Sequence, residues 1–454
     1  MMADVDTIDS VRLARDVSAQ GGLLTSAEAA VSVVQSGHRV MIPIGSQPLL
    51  LADALATHLA SLPGGSVELS DCAVAANYLW LEPGFPGVDK VVHEHWGGPA
   101  VRRQVRAHEH DYLPIPFSLR FKALQEPMRP LAEQRRADVV LVQVSLPDDH
   151  GFVSFGPNAW NQLGFVEQAR FALAEMSPRI LPAMGLGNTV HVSAFHALVL
   201  GSSEPRITTI PAQTDVHRAI AGYVTELVAD GDTLQIGAGQ VSTACVYAGA
   251  FTGKTDLGWH SEASVGGIID LIRTGVISGS RKSVDRAIAV ATGYSGNDEQ
   301  MRFARLNPKI HTRPTEYVHN IRVIASQDNM VALNAALCVD LTGQIAADSV
   351  GPEMIGGTGG QLEFAIGALN ARNGRSITVL KSRALGGSVS TIVDLLPAGT
   401  VVTVPRQFAD IVVTEFGVAR LWAKTVRERA QELIQIAHPD FRDRLQQRAK
   451  ELLG

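Results

Sequence analysis

Glu262 is the residue on which a reaction could be built. It lies in Gly258-Trp259-His260-Ser261-Glu262-Ala263-Ser264-Val265-Gly266-Gly267, which reads as a Gly-Trp turn leading into an apolar helix. A carboxylate in the first turn of a helix most often complements the helix dipole, so the segment alone does not establish chemistry. Its company is more informative. Gly237-Ala238-Gly239-Gln240 follows one strand-like run, and Ile355-Gly356-Gly357-Thr358-Gly359-Gly360-Gln361-Leu362-Glu363-Phe364, Ala384-Leu385-Gly386-Gly387-Ser388 and Glu415-Phe416-Gly417 mark further Gly-rich strand ends. Glycines there let backbone N–H groups approach a ligand closely, as nucleotide and acyl-thioester sites require. One such loop reads as a tight turn, whereas several on one α/β half point to a cleft at the carboxyl ends of the strands.

Other chemistries fail on spacing. Gly249-Ala250-Phe251-Thr252-Gly253-Lys254-Thr255 is one residue short of a P-loop and no strand leads into it. Gly237-Ala238-Gly239 lacks the third glycine of a dinucleotide fingerprint. No GxSxG elbow marks a serine hydrolase. His93-Glu94-His95 and His108-Glu109-His110-Asp111 place histidines at alternating positions, and a metal site would need them to converge; no metal is expected.

The elements that must carry these residues follow a repeated grammar. Thr25-Ser26-Ala27-Glu28 is a capping-box pattern opening an Ala/Val-rich helix, Gly37 ends that segment, and Val40-Met41-Ile42-Pro43-Ile44 reads as a strand running into Gly45. The pattern returns as a helix through Leu227-Val228, a stop at Gly231, a strand Thr233-Leu234-Gln235-Ile236 and Gly239; Gly37 to Gly45 and Gly231 to Gly239 are both eight positions. Asp138-Val139-Val140-Leu141-Val142-Gln143-Val144 and Asp410-Ile411-Val412-Val413-Thr414-Glu415 are continuous apolar runs suited to strands buried on both faces. The expectation is α/β: two domains with mostly parallel sheets, related by internal duplication, spanning 1–208 and 209–454, the second carrying Glu262.

Composition narrows the partners. The 454 residues are 46% hydrophobic and 19% charged, with net charge -6, which is globular and gives no basic field for nucleic acid. Cys72, Cys245 and Cys338 neither pair nor match ligand spacing, and read as buried thiols of a reducing compartment. The start is acidic, and no apolar run approaches the ~18 residues a membrane span needs. The expected location is cytoplasmic, without a membrane partner.

Several of these motifs, in order, resemble the acetyl-CoA hydrolase/transferase family, whose members include acetate, butyrate, 4-hydroxybutyrate and succinate CoA-transferases. Leu257-Gly258-Trp259-His260-Ser261-Glu262 is similar to the family's G-x-H-[ST]-E, and Gly359-Gly360-Gln361-Leu362-Glu363-Phe364 to its G-G-Q-x-D-F. Val413-Thr414-Glu415-Phe416-Gly417-Val418-Ala419 and Ile436-Ala437-His438-Pro439-Asp440-Phe441-Arg442 also match. Val142 to Gly151 and Gly97-Gly98-Pro99-Ala100-Val101-Arg102 agree more loosely.

The resemblance implies that Glu262 is the nucleophile of a CoA-transferase. A glutamate is ionised at neutral pH and can attack a thioester carbonyl without a general base. An acyl-glutamyl anhydride and then a glutamyl-CoA thioester would follow, with ping-pong transfer between an acyl-CoA and a small carboxylate. The resemblance implies backbone donors at Gly359 and Gly360 and an amide from Asn320 for the tetrahedral oxyanions. It implies CoA contacts at Gly237, Ala238, Gly239, Gln240 and Val241, with Gly386, Gly387 and Ser388 as a second set. Coenzyme A enters as substrate, no cofactor is expected, and a homo-oligomer is expected. Ala263-Ser264, Gln240-Val241-Ser242 and Glu363 depart from the usual Met-Phe, Ala-Ile-Pro and Asp, which points to an atypical acyl group or a weakened transferase. A CoA-thioester hydrolase of the same fold, and a CoA-binding protein without catalysis, are the competing readings.

Overall fold

The computed structural model describes residues 8–62, 67–72, 78–82, 84–95, 98–126, 128–130, 134–202, 212–357 and 359–454. The expected boundary at 208/209, Gly97 of the loosely matching motif and Thr358 of the Gly-rich loop lie outside these residues. The chain forms two compact units, one of residues 1–207 with 292–317, the other of residues 208–291 with 318–454.

The first unit is a seven-stranded sheet. Its strands are β1 (Arg39–Ile42), β2 (Val67–Cys72), β3 (Val88–Glu94), β4 (Asp111–Leu113), β5 (Val139–Val144), β6 (Phe171–Met176) and β7 (Ala197–Leu200). They pair in the order β4-β3-β2-β1-β5-β6-β7, parallel throughout. Every residue of β5 is buried, as its unbroken apolar run requires of a strand covered on both faces. Val31 and Leu51, Leu55 and Leu59 of the helix Leu49–Ser61 pack on Val40, Leu69, Leu141 and Leu173 of the strands. Each such side chain, fully buried, contributes about 1.5–3 kcal/mol.

The second unit repeats the plan. Its strands β8 (Thr233–Ile236), β9 (Gly258–Ser264), β10 (Met330–Ala335), β11 (Arg375–Val379) and β12 (Ile411–Thr414) pair in parallel in the order β9-β8-β10-β11-β12. This is the order β2-β1-β5-β6-β7 of the first unit, the topological trace of a duplication. An antiparallel strand, β13 (Gly417–Arg420), is added beside β12. The helix Asp215–Leu227 precedes β8, and Gly231, at φ 83, makes the turn between them that the glycine rhythm marked.

The division of the chain differs from a single cut. Thr292–Tyr317, expected in the second domain, belongs to the compact unit of the first. Backbone hydrogen bonds hold it there: Trp160 N–H to Thr292 O, Tyr294 N–H to Pro157 O, Thr312 N–H to Met184 O and Thr315 N–H to Trp160 O. Sequence order alone carries no sign of such an excursion, because these hydrogen bonds join residues far apart in the chain.

Candidate active site

Glu262 stands on β9, not at the start of a helix; the following helix begins at Gly266. The segment lacks the alternation of a half-buried strand because its polar residues His260 and Ser261 are themselves fully buried and hydrogen-bonded. Ile236 N–H donates to Ser261 Oγ at 3.2 Å, tying the end of β8 to β9. Lys282, 3% exposed, donates to the Trp259 and Ile288 carbonyls at 2.9 and 2.7 Å, and Trp259 Nε1–H donates to Ser264 Oγ at 2.7 Å. These bonds fix the backbone on both sides of Glu262.

The carboxylate itself is 18% exposed. Its Oε2 accepts the Gly360 N–H at 2.8 Å and a bond from His319 Nε2 at 3.0 Å. A carboxylate offers no proton, so His319 carries its own on Nε2. Gly360 caps the helix Gln361–Asn370, which places Glu262 at the positive end of a helix, where negative charge is favoured. A side chain at 360 has no room: a Cβ there would lie 2.5 Å from Glu262 Oε2 and 2.4 Å from His319 Cδ2.

A second histidine stands behind the first. His260 Nε2–H donates to the Val318 carbonyl at 2.9 Å, one residue before His319. Burial, helped by the Lys282 charge and opposed by the Val318 bond, drives the His260 imidazole down to about 3, so it stays neutral and keeps that bond. Phe364 meets both rings edge to face, at 6.3 Å from His260 and 5.2 Å from His319.

The structure brings together Glu262, Gly360 and a residue the sequence reading passed over, His319. Asn320 caps the helix Ile321–Ala325, its carboxamide oxygen accepting the Arg322 N–H at 3.0 Å. Gly359 adopts φ 52 beside Gly360 with open space where a side chain would be. Gly237, Ala238, Gly239, Gln240 and Val241 form the loop from β8 into the helix Gln240–Tyr247, beside β9 in the sheet. Ser242 Oγ–H bonds to the Gly237 and Gly239 carbonyls, at 2.7 and 3.0 Å, hold that loop closed. It passes so near β10 that a Cβ at Gly237 would lie 2.4 Å from Asn334 Oδ1, and one at Gly239 2.6 Å from Ala335 Cβ. Ala238 and Gln240 are exposed. Gly386, Gly387 and Ser388 belong to a largely exposed turn of local bonds, with Ser388 Oγ–H donating to Leu385 O.

The histidines of the first unit have other occupations. His93 Nδ1 lies 2.5 Å from Asp71 Oδ1, and its Nε2 lies 2.9 Å from His110 Nδ1. Arg120 clasps Glu94 with bonds of 2.7 and 2.9 Å, and His95 stacks on Phe117 with ring centroids 3.8 Å apart. Among the described residues, no group of three or more His, Cys, Asp or Glu is arranged to hold a metal ion. Nor is any helix among them long and apolar enough to cross a membrane.

Similarity to known proteins agrees with this geometry. Residues 296–449, which include His319 and Gly360, match the model of the acetyl-CoA hydrolase/transferase C-terminal domain. A 4-hydroxybutyrate coenzyme A transferase of Clostridium kluyveri is 33% identical over 429 residues, 94% of this chain and 97% of that protein. A succinyl-CoA:cyclohexane-1-carboxylate CoA transferase of Geobacter metallireducens is 33% identical over 424 residues, 93% of this chain and 94% of the relative. The crystal structure of RipA from Yersinia pestis matches with a TM-score of 0.86 at 29% identity, over 98% of this chain and 99% of that one. Shared motifs, full-length similarity and fold lead to one conclusion: the chain belongs to the acetyl-CoA hydrolase/transferase family.

Proposed function

We propose that this protein is a CoA-transferase that moves CoA between an acyl-CoA and a small carboxylate, with Glu262 as nucleophile. The observation that carries the reading is the setting of Glu262. It is a partly open carboxylate at a strand end, held by two donors on one oxygen at the positive end of a helix.

The cycle balances without a proton. A Glu262 oxygen attacks the thioester carbonyl, the C–S bond breaks, and CoA leaves as thiolate from an acyl-glutamyl anhydride. The thiolate attacks Glu262 Cδ, a new C–S bond forms, and the first acid leaves as carboxylate. An incoming carboxylate reverses the sequence and departs as acyl-CoA. The Gly237–Val241 loop, beside β9 and closed by Ser242, presents the amide groups of a helix N-terminus for CoA. The departures from the family's motifs at Ala263-Ser264 and Glu363 favour an atypical acyl group.

Incubation with acetyl-, succinyl- or butyryl-CoA, without an acceptor, tests the reading by intact mass. An adduct of CoA mass on the Glu262 peptide, convertible by borohydride and discharged faster by added carboxylate than by water, is the expected result. Free CoA appearing at one rate with or without carboxylate would make the protein a hydrolase instead. CoA binding without adduct or turnover would leave a binding protein.

A further inference from the structure

We infer that Gln235 and Asn334 are positioning residues: their paired carboxamides set the height at which the Gly237–Val241 loop meets CoA. This rests on the proposed reading of that loop as a CoA contact. Gln235 on β8 and Asn334 on β10 are 2% and 6% exposed. They exchange two hydrogen bonds, Gln235 Nε2–H donating to Asn334 Oδ1 and Asn334 Nδ2–H to Gln235 Oε1, each at 3.0 Å. Their strand neighbours Leu234, Ile236, Val331 and Leu333 are buried and apolar. An apolar pair of the same shape would serve stability nearly as well as two satisfied amides, so packing alone does not account for carboxamides at this place.

The loop that leaves β8 does. Gly237 N–H donates to the Leu333 carbonyl at 2.8 Å, which carries the loop's first residue onto Asn334. Asn334 Oδ1 fills the place a Cβ at 237 would take, and Ala335 Cβ stands 2.6 Å from where one at 239 would be. Gly237 has no left-handed φ, so this contact, and not the turn, is what requires a glycine there. The loop, closed on itself by Ser242, thus rests on β10 at two points. The methyl of Ala335 is fixed by its backbone, whereas the carboxamide of Asn334 is kept from turning by Gln235. Counted on from the pair Leu234 and Trp259, Gly237 falls level with Glu262 on the neighbouring strand β9. The height of the loop over β10 therefore sets where CoA lies relative to the nucleophile.

Transfer from butyryl-CoA to acetate, with calorimetric binding of CoA beside it, tests the coupling between the two positions. Gly237→Ala should raise the KM for butyryl-CoA and weaken CoA binding about tenfold with kcat within about threefold, because a lifted loop loses binding made equally in ground and transition states. Asn334→Ala withdraws the oxygen that the new methyl strikes, so adding Gly237→Ala to it should cost no more than about a further twofold. Asn334→Ala should also unfold at a lower temperature, since it leaves the Gln235 amide unpaired. Gly237→Ala cannot repair that loss, so stability and KM part company, as a purely structural role would not allow. Asn334→Ser, which leaves a hydroxyl to answer Gln235, replaces the alanine variant should the latter not fold. An unaltered KM in Gly237→Ala, or an equal cost of that change in both backgrounds, would overturn the role given to the pair. CoA binding without transfer in the unaltered protein would overturn the transferase reading alone, and the binding constants would then decide the inference by the same comparison. No CoA binding at all would take the loop away from CoA and this inference with it.

Discussion

Two carboxylates in this molecule solve the same electrostatic problem and reach different ends. In the first unit Glu175, on β6, accepts the Leu50 and Leu51 N–H groups with Oε2, at 2.8 and 3.2 Å, at the start of the helix Leu49–Ser61. In the second unit Glu262, on β9, accepts Gly360 N–H at the start of Gln361–Asn370, and His319 supplies the second donor. Each has a glycine pressed against it: a Cβ at Gly201 would lie 2.4 Å from Glu175 Oε1, as one at Gly360 would strike Glu262. The difference lies in exposure and in the second donor. Glu175 is fully buried and served by backbone, whereas Glu262 is 18% exposed and one of its donors is a side chain. A helix terminus holding a carboxylate makes structure when sealed and leaves room for chemistry when a substrate can reach it.

The comparison breaks most cleanly under amide substitution. Glu262→Gln should lower turnover by about 10⁴-fold or more, as loss of a nucleophile does, while changing unfolding free energy by less than about 1 kcal/mol. Acyl transfer kinetics and urea unfolding on one preparation read both numbers; residual activity within 100-fold would remove Glu262 from the reaction. Gly360→Ala should cost about 100- to 1,000-fold in turnover, since the Cβ displaces the oxygen or its histidine donor. If that variant transfers CoA normally, the approach at Gly360 is dispensable.

Glu175→Gln should do the opposite of Glu262→Gln. It turns an acceptor-only group that receives two N–H bonds into one carrying an amide donor, and charge-assisted hydrogen bonds are worth about 1.5–3 kcal/mol each. A loss of about 2–3 kcal/mol in urea unfolding, with kcat per folded molecule unchanged, is expected. A catalytic defect without destabilisation would show that the sealed carboxylate is not merely structural.

Much of this arrangement was legible in the residues. The runs at 139–144 and 411–414 declared buried parallel strands, because a strand covered on both faces has little polar to alternate. The glycine rhythm declared the duplication, since Gly231 turns at φ 83 as Gly37 does at φ 85. Glu262 and Gly360 were found through their motifs, but the element holding Glu262 was not: buried His260 and Ser261 hide a strand from any reading of hydrophobicity. His319 was missed by one position. Adjacent residues entering a helix point in different directions, so Asn320 turns to cap the helix while its neighbour meets the carboxylate. The excursion of Thr292–Tyr317 into the first unit depends on long-range pairing that no local pattern encodes.

The smallest effect concerns two histidines, one in each unit, kept neutral by burial. His110 is pushed down to about 4 by burial and by neighbouring His93, against the pull of Asp71, and His260 falls to about 3. Both start from an ordinary 6.5. As pH falls below that value the unfolded chain takes protons that the folded protein refuses, so stability is fully present above 6.5 and declines with acidification. Each histidine contributes a slope approaching about 1.4 kcal/mol per pH unit until its folded value is reached, or about 1 kcal/mol by pH 5.5. Urea unfolding between pH 7.5 and 5.5 should therefore weaken steadily, and His110→Gln should flatten the curve by one histidine's share without altering the pH profile of transfer. His260→Gln should flatten it equally, yet it also loosens the Val318 anchor beside His319 and so should lower turnover as well. A stability curve flat across this range would mean that neither ring is held neutral. Equal catalytic losses in the two variants would mean that the contrast between a structural and a reactive unit does not extend to their histidines.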